Sequence, residues 1–79
     1  MKYLSILGST GSIGTQTIDV VNQHPDRFII VALVAHHNID LLEQQILAHE
    51  PIMAGVVDES AYKALKSRYH GPTKLYCGE

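Results

Sequence analysis

Three glycines at even spacing, Gly8, Gly11 and Gly14, punctuate the stretch Leu7 to Thr15, LGSTGSIGT, with the hydroxyl residues Ser9, Thr10 and Ser12 between them. Glycine takes positive φ without steric cost, and it lets a phosphate or a second backbone approach where a Cβ would block it. Set between a strand and a helix, a GxxGxxG turn has the parts of a phosphate cradle. Gly8 would make the turn off the strand, Gly11 would admit a pyrophosphate, and Gly14 would allow close packing of the helix on the sheet. The first helical turn then leaves amide hydrogens without intrahelical partners, here those of Ser12 and Ile13. They face an anion together with the positive end of the helix dipole. Thr10 and Ser12 add hydroxyl donors. The first gap is one residue longer than in the commoner GxGxxG, so the spacing alone also suits a plain strand-to-helix turn; the flanking elements decide.

A second group follows the apolar run FIIVALVA: Ala35-His36-His37-Asn38. In a dinucleotide-binding unit this point, about 20 residues beyond the glycines, meets the adenosine ribose, where an acid would bind the 2′-hydroxyl and select NAD. From Ala35 onward no acid occurs until Asp40, which favours a 2′-phosphorylated ribose and hence NADP. Imidazole titrates near neutral pH, and a phosphate dianion beside it favours the cation. The Asn38 side-chain amide can donate as well. The plain alternative is a pair of exposed loop histidines. The five histidines, at 24, 36, 37, 49 and 70, include no pair four residues apart, so no metal site is expected from this segment. His24 reads as a solvent-facing residue at a helix end. Asp58-Glu59 reads as acids at a helix start rather than an acid/base pair, and Cys77 as an incidental residue rather than a nucleophile.

The elements that must position these groups follow from periodicity. Tyr3 to Leu7 predicts a first strand buried on both faces, as parallel strands usually are. Ile13 to Gln23 predicts a helix whose core face holds Ile13, Gly14, Thr17, Ile18, Val20 and Val21. His24-Pro25-Asp26 ends it. Phe28 to Ala35 predicts a central parallel strand, and the helix between the two strands is the right-handed crossover that parallel pairing requires. A second helix, capped by Asn38, runs to about His49 with a stripe of Ile39, Leu42 and Ile46; Leu41 and Leu47 lie off it. A third strand spans 52 to 57. A third helix runs from Glu59 to Tyr69 behind the cap Asp58, with Ala61, Tyr62, Leu65 and Tyr69 on its core face. Gly71-Pro72 breaks it, and a fourth strand spans 73 to 76. The fold class is α/β: a Rossmann-like three-layer arrangement on a parallel sheet of order 3-2-1-4, with helices on both faces and the glycine turn at the switch point.

LGSTGSIGTQTIDVV at 7 to 21, HPDRF at 24 to 28 and VALVA at 31 to 35 leading to Asn38 resemble the N-terminus of the 1-deoxy-D-xylulose 5-phosphate reductoisomerase family. The likeness runs along essentially the whole chain and corresponds to the opening part of a family member. It implies that residues 1 to 79 are the N-terminal part of an NADPH-binding domain, with catalytic and C-terminal domains elsewhere. It further implies that Thr10, Gly11, Ser12 and Ile13 contact the NADPH phosphates and that Asn38 sits near the 2′-phosphate. Where the family often has glycine followed by a basic or polar residue, this chain has His36-His37; His37 would stand in for the basic group.

The reaction implied converts 1-deoxy-D-xylulose 5-phosphate to 2-C-methyl-D-erythritol 4-phosphate in non-mevalonate isoprenoid biosynthesis. Its implied partners are NADPH, a divalent metal (Mg or Mn), a phosphorylated sugar substrate and a second subunit in a homodimer. The metal and catalytic residues would lie outside these residues, so the chain alone would be inactive. Two other functions suit the glycine pattern: another NADP-dependent oxidoreductase such as a semialdehyde dehydrogenase, and a non-catalytic nucleotide-binding module.

Composition sets the outer bounds. Seventy-nine residues make one small domain at most, and 46% apolar residues are ordinary for a globular one. A net charge of −2 with no Lys/Arg cluster gives no footprint for nucleic acid or an anionic membrane. The five mostly apolar residues before the turn are too few for a signal-peptide core or a membrane span, and the single cysteine fits a reducing compartment. The expectation is a cytoplasmic chain that starts near Met1 and opens a larger protein.

Overall fold

A computed structural model describes residues 2–78. Strands and helices alternate: β1 (Lys2–Leu7), α1 (Ser12–Gln23), β2 (Phe28–Ala35), α2 (Ile39–His49), β3 (Met53–Val56), α3 (Glu59–Arg68) and β4 (Lys74–Cys77). Each boundary has a local cause. Pro25 follows α1, and the His24 amide donates to the Val21 carbonyl to close its last turn. The Asn38 carboxamide oxygen accepts from the Leu41 amide at 3.2 Å and starts α2, while the Asp58 carboxylate accepts from the Ala61 amide at 2.9 Å and starts α3. Glu50, with φ 48°, ends α2 in the left-handed conformation just before Pro51.

All four strands run parallel, and β1 pairs with β2 as the βαβ expectation requires. Their order, however, is β1-β2-β3-β4. The expected 3-2-1-4 order, which moved β4 across to the free edge of β1, is corrected, and with it the position of the glycine turn, which lies at the end of an edge strand. Polar anchoring accounts for the difference. The buried Thr73 hydroxyl donates to the Pro51 carbonyl at 2.7 Å, and the Lys74 amide donates to the Ile52 carbonyl at 3.1 Å, which fixes the start of β4 beside β3. Arg68, near the end of α3, reaches Asp40 at 2.8 Å and Glu43 at 3.4 Å on α2, so α3 lies alongside α2. These exposed pairs orient more than they stabilise.

Three right-handed crossovers advancing in one direction put all three helices on one face. One core cluster accordingly joins Ile18 and Val21 of α1, Leu42 and Ile46 of α2 and Leu65 of α3 to Ile6, Ile30, Leu33, Ala35, Ala54 and Val56 of the sheet. The expectation of helices on both faces is corrected by the same fact. Across β1 to β4 the other face presents Tyr3, Leu7, Ile29, Met53 and Tyr76 as exposed side chains, so β1 and β2 are not buried on both sides as their apolar runs predicted. Within β2 the buried residues Ile30 and Leu33 are three apart, against the strand period of two. The register shift between Leu4/Ile30 and Ser5/Ala32 explains this: Val31 is an extra residue that turns Leu33 back onto the helix side. In α1 only Gly14, Ile18 and Val21 are buried; Ile13 is 80% exposed and Val20 50%. Ile13 sits in the first turn, beyond the strand ends, where no sheet lies beneath it. Among the described residues no helix is long and apolar enough to cross a membrane.

Candidate functional site

The glycine turn leaves β1 through Gly8, whose φ of 69° lies in the region that favours glycine. The Ser9 amide donates to the Val34 carbonyl at 2.9 Å, which carries the turn over to the end of β2, and the Gly11 amide donates back to the Gly8 carbonyl at 3.0 Å. Gly11, with φ −79° and ψ 173°, is the residue before α1, and no side chain caps that helix, in contrast to α2 and α3. The amides of Ser12, Ile13 and Gly14 open α1 and have no intrahelical acceptor. Gly11, Ser12 and Ile13 are exposed and Thr10 is half-buried. Gly14 is buried, and a Cβ on it would strike the Gly8 carbonyl oxygen and come within 2.7 Å of the Ser9 Cα. The close packing expected of Gly14 is therefore against the turn's own backbone, directly after β1.

The second group stands beside the first. The Val57 amide donates to the Ala35 carbonyl at 3.0 Å and the Asp58 amide to the His36 carbonyl at 2.9 Å, which ties the segment after β2 to the β3–α3 turn. His36, His37 and Asn38 are exposed, with the two imidazole rings edge to face at 5.4 Å. Asn38 uses its side-chain oxygen as the α2 cap, so its amide hydrogens remain directed outward and the residue is held in place. Between the two groups lies a cavity of about 310 Å³ lined by Leu7, Gly8, Val34, Ala35, His36 and Val57. It occupies the carboxyl ends of adjacent parallel strands, where open α/β sheets bind ligands. His36 lines this cavity and His37 does not. Asp58 serves as a cap and Glu59 pairs with Lys63 at 3.2 Å, in keeping with ordinary helix-start acids. Cys77 is exposed at the end of β4. Among the described residues no three His, Cys, Asp or Glu side chains gather to hold a metal ion.

Sequence reasoning passed over Gln45. Its Nε2 donates to the Ser9 carbonyl at 2.8 Å, and both residues are buried, Gln45 at 6% exposure and Ser9 at 0%. The Ser9 hydroxyl and Gln45 Oε1 are buried without partners. The available signal was positional: residue 45 lies three after Leu42 and one before Ile46, a polar side chain on the apolar stripe.

The parallel βαβ unit and the glycine turn at its strand ends define a Rossmann-like segment. A family model for 1-deoxy-D-xylulose 5-phosphate reductoisomerase matches residues 4–79, and the chain belongs to that family. It is 50% identical over 78 residues to 1-deoxy-D-xylulose 5-phosphate reductoisomerase 1 of Bacillus cereus, a match covering 99% of this chain and 20% of that protein. A relative from Baumannia cicadellinicola is 52% identical over 67 residues, 85% of this chain and 17% of that protein. Among solved structures, the Zymomonas mobilis reductoisomerase in complex with NADPH superimposes with a TM-score of 0.89 at 29% identity, covering 98% of this chain and 21% of that one. A reductoisomerase in complex with NADPH, fosmidomycin and magnesium gives 0.93 at 29% identity, covering 100% of this chain and 20% of that one. The chain thus spans 20% of the length of the Bacillus cereus relative. Family membership excludes the semialdehyde dehydrogenase alternative.

Proposed function

We propose that residues 1 to 79 form the N-terminal part of the NADPH-binding domain of a reductoisomerase. The whole protein would convert 1-deoxy-D-xylulose 5-phosphate to 2-C-methyl-D-erythritol 4-phosphate in isoprenoid biosynthesis. The observation that carries the reading is the uncapped start of α1 at the exposed Gly11-Ser12-Ile13, facing the same strand ends as Asn38 and the cavity beside His36. Backbone donors and a helix dipole suit a pyrophosphate. Gly8, Thr10, Gly11, Ser12, Ile13 and Gly14 would hold it. His36, His37 and Asn38 would meet the adenosine 2′-phosphate, as the absence of an acid after β2 favours. When bound, NADPH supplies the hydride for the reduction.

Support for the cofactor comes from the NADPH complexes among the structural relatives, and support for a divalent metal from the magnesium in the second of them. The metal ligands and the residues that hold the sugar phosphate are assigned outside this segment, which binds cofactor and does no chemistry by itself. The parent protein is read as a cytoplasmic homodimer. The test is titration of NADPH and NADH against the intact gene product and its Gly11→Val variant. Tight binding of NADPH over NADH, weakened at least tenfold by the substitution, is expected. Equal affinity for the two cofactors, or no effect of valine, would refute the assignment.

A further inference from the structure

Of the three buried residues of α2, Leu42, Gln45 and Ile46, only Gln45 is polar. Its contact lies 36 residues away in sequence, on the carbonyl of Ser9 in the glycine turn. Ser9 is thereby held at both ends, its amide on β2 through Val34 and its carbonyl on α2 through Gln45. A trans peptide is planar, with its C=O and N–H pointing in opposite directions. Drawing the Ser9 oxygen toward α2 therefore turns the Thr10 N–H of the same peptide away from the core, toward the side where Gly11, Ser12 and Ile13 are exposed. An apolar residue at 45 would remove the donor to the Ser9 carbonyl and leave that peptide free to rotate.

We propose that Gln45 is a positioning residue for the phosphate turn: its carboxamide fixes the Ser9–Thr10 peptide and so aims the Thr10 amide at a bound pyrophosphate. It also joins the turn to the helix that Asn38 caps, so that the two ends of the site move as one body. The ligand readout rests on the cofactor reading above; the conformational readout does not.

The experiment compares the intact gene product with its Gln45→Met variant, and with Gln45→Leu should methionine fail to fold. Two probes are titrated: NADPH, and adenosine 2′-monophosphate, which carries the 2′-phosphate but no pyrophosphate. The expected result is about tenfold weaker NADPH binding with unchanged affinity for adenosine 2′-monophosphate. In the ligand-free protein, exchange of the turn amides of Ser9 and Gly11, which bond to the Val34 and Gly8 carbonyls, should quicken about tenfold while strand amides keep their protection. Equal weakening of both probes, or unaltered NADPH affinity, would overturn the proposal. If the unsubstituted protein binds neither probe, the cofactor reading falls, and the exchange result decides the positioning role alone: selective loss of turn protection supports it and unchanged protection overturns it.

Discussion

A Cβ on Gly14 meets the Gly8 carbonyl and approaches the Ser9 Cα to 2.7 Å, whereas one on Gly11 finds only the Gly8 oxygen at 3.4 Å, an ordinary contact. Backbone cannot move aside as a flexible side chain can. Gly14→Val should therefore cost about 3 kcal/mol in urea unfolding, while Gly11→Val should stay within about 0.5 kcal/mol and act on cofactor affinity instead. Equal losses in both would remove the distinction between packing and access.

The histidine pair makes a second prediction at this scale. If either imidazole meets the 2′-phosphate, its ring N–H adds a hydrogen bond that NADH cannot accept and so favours NADPH. His36→Ala or His37→Ala should narrow the preference by about ten- to a hundredfold. A preference indifferent to both substitutions would leave Asn38 and backbone amides as selectors. At His49, partial burial holds the pKa below the ordinary value. The unfolded chain then binds the extra proton more readily. His49 stabilises fully above about pH 6.5, and that contribution fades as pH falls toward and through the lowered folded value. Difference curves between the unsubstituted protein and His49→Gln, read by thermal unfolding from pH 8 to pH 5, should show the gap closing on the acid side.

At the scale of elements, the three helices start in different ways. Asn38 and Asp58 satisfy an amide at the start of α2 and α3, while α1 begins on an uncapped Gly11 and leaves its amides to solvent or ligand. With glycine at the cap position, this start gives up only about a few tenths of a kcal/mol relative to a side-chain cap. The placement of β4 rests on an equally local feature, the buried Thr73 hydroxyl on the Pro51 carbonyl. Thr73→Val keeps the shape, removes the donor and strands a buried acceptor. It should lower stability by about 1–3 kcal/mol in urea unfolding and release the Lys74 and Gly78 amides, which bond to the Ile52 and Val56 carbonyls, ahead of those in β2. Uniform loosening of all strands would show that β4 is held by something else.

The whole molecule is a one-sided sheet. With Leu33, Ala54, Val56 and Leu65 wholly buried under the helices, the core is complete on that side, yet Tyr3, Ile29, Met53 and Tyr76 stand uncovered on the other. A chain of this size buries only about 60% of its unfolded surface even when well formed. An apolar face of this kind recruits hydrophobic probes. The 79-residue chain prepared alone should bind the dye ANS, and Tyr3→Lys combined with Ile29→Thr should reduce that binding without shifting the core's unfolding midpoint downward. Unaltered dye binding would place the accessible surface elsewhere.

What the residues determined by themselves were features written in local geometry. Apolar runs, the caps Asn38 and Asp58, and the breaks at Pro25, Pro51 and Gly71-Pro72 gave seven elements in the right order, with ends shifted by a residue or so. Gly8 could be assigned its turn because positive φ is a property of one residue, and the match of the family model over residues 4–79 follows from the motif and its surroundings. Strand order was not written there. Every right-handed crossover satisfies the same local rules whichever edge it reaches, and the choice fell to Thr73, Arg68 and the packing of α3 beside α2. The open sheet face follows from that order, since helices that advance in one direction cover only one side. Gln45 was hidden for the same reason. A polar residue on an apolar stripe is a question in sequence, and only the fold, by bringing the Ser9 carbonyl to 2.8 Å, supplies its partner.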